Sequence, residues 1–369
     1  MIPYGHQYID KNDINEVVKV LCSDWLTQGP KVLEFEKKLA RYCGSKYAVA
    51  VSNGTSALHL AYLVAGLSKG DEVITTPNTF VATTNMMLAV GAKPVFCDIR
   101  SDTYNIDESK IEKLITKKTK AIVPVHFAGH ACEMFKIQTI AKRNKLIVIE
   151  DACHALGARY KTSKIGSCKY SDMAVFSFHP VKSITTAEGG AILTNNKKYY
   201  DGLISLRSHG IYKDEKGSNV MTELGYNYRM TDIQASLGIS QLKKLNYFIR
   251  TRRKLAKEYK KQLSSVSEII LPNETIGSSS AWHLFIIRTR NKKERSALLQ
   301  ILRNHGIGTQ IHYPTVYSHP YYKEHGYAKV RCKISEAYSD TCLILPLYPA
   351  LINKEVKSIC DKIKRFYVK

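Results

Sequence analysis

Three short segments of the chain hold residues that could do chemistry together. Lys182 follows the run MAVFSF (173–178) and sits in a short loop among His179, Ser183 and Thr185. Most loop lysines are solvated charges, but one placed just beyond an almost wholly apolar strand is where a buried, imine-forming amine is expected. Asp151 closes the run LIVIED (146–151). Alone it reads first as a helix cap; its functional reading is a carboxylate that keeps a pyridine nitrogen protonated. His154 lies three residues on and, taken alone, is a packed or hydrogen-bonded histidine. The third segment, Ser52-Asn53-Gly54-Thr55-Ser56-Ala57, leaves a strand and enters a helix. Gly54 permits the tight turn, and Thr55, Ser56 and the free N–H groups of the first helical turn form an anion site suited to a phosphate ester. Ordinary helix capping explains the same residues equally well.

A phosphate cup, an acid for a ring nitrogen and a lysine for an imine are jointly what pyridoxal phosphate requires. The elements that must position them follow from pattern. Seven apolar runs read as strands: 48–51, 72–75, 94–98, 121–126, 146–150, 173–178 and 190–194. Helical stretches at 56–67, 80–90 and 134–144 lie between several of them. Strands joined by helices imply a mostly parallel sheet, here seven-stranded, with helices on both faces. Only the turn-rich stretch 179–189 joins the last two runs, which is too short for a helical crossover. Those two strands are therefore not expected to be a parallel pair. Past residue 241 the pattern changes to a charged helix over 242–263. A smaller α+β region follows, with a strand at 282–289, a helix at 293–304 and a second strand at 309–313. We place a large domain over 1–245 and a small C-terminal domain over 246–369.

Composition narrows the class. The 369 residues are 44% hydrophobic and 24% charged, ordinary for a globular enzyme. No stretch nears the ~20 apolar residues needed to cross a bilayer, and the opening MIPYGHQYID has no signal-peptide character; a cytoplasmic protein without membrane partners is expected. Nine cysteines are scattered without metal-finger spacing, so no metal site is expected and a reducing compartment is. The net charge of +23 is large, but the lysines are spread along the chain. Nucleic-acid binding is not expected; a diffuse positive field would instead favour a diphosphate-linked sugar.

The stretch FSFHPVKSITTAEGG over 176–190 resembles the lysine motif of the DegT/DnrJ/EryC1/StrS family of sugar aminotransferases. The resemblance extends over nearly the whole chain: LTQG at 26–29, TFVAT at 79–83, Glu150-Asp151 with His154, and GYNYRMTDIQ at 225–234. IPYGHQYID (2–10), SDWLTQGP (23–30) and PVHFAG (124–129) carry a closer likeness to members acting in pseudaminic acid biosynthesis. The resemblance implies the α/β fold type I of pyridoxal-phosphate-dependent transferases and a homodimer with shared active sites. It implies that Lys182 bonds the cofactor aldehyde, Asp151 holds the ring nitrogen, Phe80 stacks on the ring, and His154 and His179 lie near it. Gly54, Thr55, Ser56 and Ser177 are implied to hold the phosphate, completed by Asn227 of a neighbouring subunit. Tyr4, Asp24, Trp25, Leu26, Thr27, Arg229, His312, Tyr313, Pro314 and Thr315 are implied to contact a nucleotide sugar. Related dehydratases carry histidine in place of this lysine, so Lys182 favours transamination. Several relatives of the pseudaminic type carry Ala-Thr where this chain has Gly54-Thr55, a change the backbone donors survive. The expected reaction moves an amino group from glutamate to C4 of a UDP-linked 4-keto-6-deoxy-N-acetyl hexose. A dTDP- or GDP-linked keto sugar is the nearest rival substrate, and a non-catalytic cofactor-binding regulator a more distant one.

Overall fold

A computed structural model describes residues 1–368. Its centre is a seven-stranded sheet built from β1 (Tyr47–Val51), β2 (Glu72–Thr75), β3 (Lys93–Phe96), β4 (Thr119–Val123), β5 (Ile147–Asp151), β6 (Met173–Ser177) and β7 (Gly190–Thr194), in the order β1-β7-β6-β5-β4-β2-β3. β2, β3, β4, β5 and β6 pair in parallel. β7 runs against both its neighbours, β1 and β6. The short link after β6 thus makes the two last strands antiparallel neighbours, with Ser177 opposite Gly190, as its length demands.

Successive strand residues feed two different cores, because side chains alternate across the sheet. Ala48, Ala50, Ile74, Ile122, Val148, Ala174, Phe176, Ala191 and Leu193 face one cluster. Val49, Val51, Val73, Ala121, Val123, Ile149, Met173, Val175 and Ile192 face the other. On the first side lie α1 (Pro30–Cys43), α4 (Met134–Arg143) and the first part of α6 (Asp232–Leu263). Phe35 of α1 is fully buried and meets Phe178 edge-on at 5.3 Å; burying such a side chain contributes about 1.5–3 kcal/mol. On the second side lie α2 (Gly54–Val64), α3 (Ala82–Ala89) and α5 (Lys197–Arg207). Both sheet faces are covered, which is why the strands read as unbroken apolar runs.

The 32-residue helix α6 begins ten residues before the charged stretch that marks it in the sequence, at a capping box between Thr231 and Gln234. It passes unbroken through residue 245 and enters a separate core with Leu255, Tyr259 and Leu263. That core holds β8 (Phe285–Arg288), α7 (Lys292–Asn304), β9 (Cys342–Leu345) and α8 (Asn353–Tyr367). The strand expected over 309–313 does not form: only Gln310 makes an isolated bridge, to Ile344. The partner of β8 is β9, a four-residue antiparallel match from Phe285 opposite Leu345 to Arg288 opposite Cys342. Residues 312–314, His-Tyr-Pro, end in a residue that cannot donate to a ladder. The segment turns instead toward the sheet's open end.

Gly190, at the start of β7, lies against the entry to α2. A Cβ there would sit 2.4 Å from the Asn53 carbonyl oxygen and 2.8 Å from the Gly54 nitrogen. Both obstacles are backbone, so neither can swing aside. Gly190→Ala is expected to destabilise the protein by at least about 2 kcal/mol, read as a lower midpoint in denaturant unfolding.

Candidate active site

The carboxyl ends of the parallel strands open into a cavity of about 560 Å³. Asp151, Ser177, Lys182, Gly54 and Thr55 all line it. Open α/β sheets bind ligands at this edge because the strand ends leave loops and helix N-termini facing one crevice.

Each group is placed by a local device. Asp151 is the last residue of β5 and lies level with Val175 of β6. Its Oδ1 accepts from the Cys153 N–H at 3.2 Å and its Oδ2 from the Thr83 hydroxyl at 2.7 Å. Lys182 rides a loop closed by backbone bonds: Phe178 N–H to Gly189 O, Thr186 N–H to Phe178 O, and its own N–H to His179 O at 2.9 Å. Its flank is tied to α6 by Gln234, whose amide donates to Glu188 O. Dense packing around the amine pushes the Lys182 pKa down, with the Asp151 carboxylate opposing. The lysine therefore gives up its proton more readily than a solvated one, so more of it is the neutral amine.

At the entry to α2, Asn53 caps the helix by accepting from Ser56 N–H at 2.8 Å. The Ser56 hydroxyl accepts from Asn53 N–H and bonds Asn53 O and Ser52 Oγ. Ser56 is thus buried in its own turn and does not line the cavity, whereas Gly54 and Thr55 do. A Cβ on Gly54 would lie 2.9 Å from Ser177 Cβ and 3.3 Å from Ser177 Oγ. The missing side chain leaves a cradle between a helix N-terminus and a serine hydroxyl, which suits a phosphate.

Phe80 is 58% exposed although large and apolar, its ring opening onto the cavity 6.2 Å from Tyr313. His154 lies nearby, 3.3 Å from the Tyr313 hydroxyl and packed on His283 at 4.3 Å between ring centres. Tyr4, His179 and His312 complete this part of the lining. The cradle, the acid, the amine and an open aromatic face fit pyridoxal phosphate in type and placement. Asp24, Trp25, Leu26, Thr27, Asn227, Arg229, Pro314 and Thr315 do not line this chain's own cavity. Asn227 bridges Ser208, Arg229 bridges Val51, and Thr27 bridges Thr231. Trp25 and Leu26 are 56% and 46% exposed, and Thr315 is buried.

The sequence reading gave no individual role to Cys153, Thr83 or His283, which also line the cavity. Cys153 follows Asp151 by two residues, and burial pushes its thiol well above the ordinary range, so it is a neutral filler. Thr83 reaches Asp151 from a distant helix. His283 arrives on a strap laid across the turn at 127–130, with Ala281 N–H donating to Gly129 O and His283 N–H to Ala128 O. The strap is gripped from behind by Arg252, fully buried, whose guanidinium donates to the carbonyls of Trp282, His283 and Leu347. Burial, then the neighbouring positive groups, holds His154 and His283 well below the ordinary imidazole range, so both are neutral. Among the described residues no cluster of His, Cys, Asp and Glu could hold a metal, and no helix is long and apolar enough to cross a membrane.

The sequence profile of the DegT/DnrJ/EryC1/StrS aminotransferase family matches residues 7–364. The chain is 39% identical over 379 residues to the UDP-4-amino-4,6-dideoxy-N-acetyl-beta-L-altrosamine transaminase of Campylobacter jejuni subsp. jejuni serotype O:2, covering 100% of each. It superposes on Helicobacter pylori PseC, an aminotransferase involved in the biosynthesis of pseudoaminic acid, with a TM-score of 0.94, 34% identity and coverage of 100% and 99%. The PLP-form of Spr1654 from Streptococcus pneumoniae matches with a TM-score of 0.94, 30% identity and coverage of 100% and 98%.

Two further histidines make a pH test. His130 accepts from Thr275 N–H through Nε2 and pairs with Ser278 through Nδ1, so only the neutral ring fits. Burial lowers the pKa of His130, and that of His312, to about 4. Unfolded chains bind these protons more readily, so stability is full above the ordinary imidazole value and is lost as pH falls toward about 4. The slope of unfolding free energy against pH in that window is expected to flatten in His130→Asn.

Proposed function

From the premise that this chain belongs to the DegT/DnrJ/EryC1/StrS aminotransferase family, we propose that it moves the amino group of glutamate to C4 of UDP-2-acetamido-2,6-dideoxy-β-L-arabino-hex-4-ulose, in pseudaminic acid biosynthesis. The reaction class is aminotransfer and the cofactor is pyridoxal phosphate. The observation that carries the reading is that the Lys182 amine and the Asp151 carboxylate line one cavity beyond adjacent parallel strands. The names of the Campylobacter and Helicobacter relatives support the choice of sugar.

Bound pyridoxal phosphate supplies the electron sink that makes the donor's α-proton labile. The protein's own groups do the rest. Gly54, Thr55 and Ser177 hold the phosphate, and Ser56 shapes the turn that presents them. Asp151 holds a proton at the ring nitrogen, so the ring draws electrons. Phe80, His154 and His179, which line the cavity, would hold the ring in place. Lys182 would take the proton from the donor's α-carbon and return it at the cofactor's C4′, and its lowered pKa leaves more of it as the free amine able to accept that proton. On the sugar the same lysine runs these transfers in reverse.

The sugar nucleotide lies along Tyr4, His312 and Tyr313, which line the cavity mouth. Asn227 and residues 24–27 are exposed in their own chain and Arg229 is half-buried; in this reading all of them serve the cavity of a second copy in a homodimer. Pro314 and Thr315 shape the segment that presents Tyr313.

Incubation with glutamate and a panel of UDP-, dTDP- and GDP-linked 4-keto sugars, with products read by NMR, tests the substrate. A C4 amine on the UDP sugar alone supports the reading, and amination of only another sugar overturns it. Lys182→Ala is expected to abolish turnover together with the visible absorption of the lysine-linked cofactor. Asp151→Asn is expected to retain cofactor while slowing proton transfer by ~10²-fold or more; a wild-type rate refutes the role given to Asp151.

A further inference from the structure

We propose that Thr83, backed by Thr79, is a positioning residue that fixes the Asp151 carboxylate and keeps the shared proton on the cofactor's ring nitrogen. This rests on the reading of Asp151 given above.

Threonine hydroxyls near a helix start usually bond locally, to a cap or to a carbonyl one turn back. Thr84 keeps to its own turn, its hydroxyl 3.2 Å from Val81 O. Thr83, beside it, does not. Its hydroxyl crosses to Asp151 Oδ2 at 2.7 Å, between residues 68 apart in sequence. A second hydroxyl, Thr79 Oγ1, lies 2.7 Å from Thr83 Oγ1. A hydroxyl has one proton to give, and that of Thr83 goes to the carboxylate. Thr79 must then be the donor in the second contact. The direction of donation is set: Thr79 to Thr83 to Asp151.

The surroundings make this arrangement consequential. Thr79, Thr83 and Asp151 are 2%, 0% and 5% exposed. In a dry site a hydrogen bond to an ionised group is roughly twice as strong as a neutral one, and a chain of donors polarises each member. Two donated protons in series therefore stabilise the ionised carboxylate. The other contact, Cys153 N–H to Oδ1, is longer at 3.2 Å and leaves the carboxylate free to rotate without Thr83.

The donor is itself held rigid. Tyr62, fully buried, donates its hydroxyl to Thr83 O at 3.0 Å. Tyr322 reaches the same turn, 2.6 Å from Thr84 Oγ1 and 2.7 Å from Asn85 Oδ1. The segment from Thr79 to Thr83 also carries Phe80. One turn of chain thus sets both the ring's covering face and the orientation of the acid beneath its nitrogen.

The test reconstitutes the enzyme with ¹⁵N-labelled pyridoxal phosphate and reads the ring-nitrogen shift by NMR. Asp151→Asn is the reference. Thr83→Val, which keeps the shape and removes the hydroxyl, is expected to move the signal toward that of an unprotonated pyridine. It should also lower kcat by roughly tenfold, the loss of one hydrogen bond to a charged group, with little change in KM for the sugar. Thr83→Ser should restore the wild-type shift. Thr79→Val, which leaves the contact to Asp151 in place, should move the signal the same way by less. A wild-type shift in Thr83→Val, alongside a displaced one in Asp151→Asn, overturns the proposal and leaves the role of Asp151 standing. A wild-type shift in Asp151→Asn itself overturns both. Should Thr83→Val not fold, an unmoved signal in Thr79→Val overturns the relay.

Discussion

The site depends on a reversal of direction. After β6 the chain must return as β7 within a dozen residues, and an antiparallel neighbour is the only partner so short a link can reach. That constraint leaves a loop standing on the sheet's carboxyl edge with Lys182 in it. Phe178, buried against Phe35, pins one side of the loop, and Gln234 of α6 pins the other. β5 ends next door at Asp151 and the entry to α2 lies across β7. Three chemically unlike groups meet because one strand runs the wrong way.

The electrostatics of the cavity follow from its dryness. Lys182, His154, His283 and His312 are all basic, and burial lowers the proton affinity of each. Their mutual repulsion adds to the effect in the histidines. Arg252 contributes a further positive charge from behind, paired with carbonyl oxygens rather than with a carboxylate. The site therefore holds histidines as neutral hydrogen-bonding groups, with two carboxylates, Asp151 and Glu188, in its lining. No arginine of this chain lines the cavity, so what it offers an anion is chiefly the N–H groups at the entry to α2, by Gly54 and Thr55.

Much of this was legible in the sequence because it is local. Seven apolar runs announced seven strands, and the reactive residues sat where those runs ended. The misreadings share a cause. The run over 309–313 has the look of a strand, but its fate is decided by Pro314 and by the pull of His312 and Tyr313 toward the cavity. The true partner of β8, the four residues Cys342–Leu345, is too short for periodicity to tell strand from helix. Thr83 gave one signal, a hydroxyl four residues after Thr79, but its meaning lies in a carboxylate that only folding brings near. His283 sits inside an apolar stretch and gave none.

The long helix α6 has a bearing on how the molecule can be divided. Its first half seals one face of the sheet and its second half is the spine of the smaller core. At 1.5 Å per residue it runs about 48 Å without a break. Severing the chain at 245 would cut a continuous rod in mid-span and bare an apolar stripe on each fragment. The two cores thus share one helix, and the cavity takes lining residues from before it in the chain, such as Lys182, and from after it, such as His283 and Tyr313.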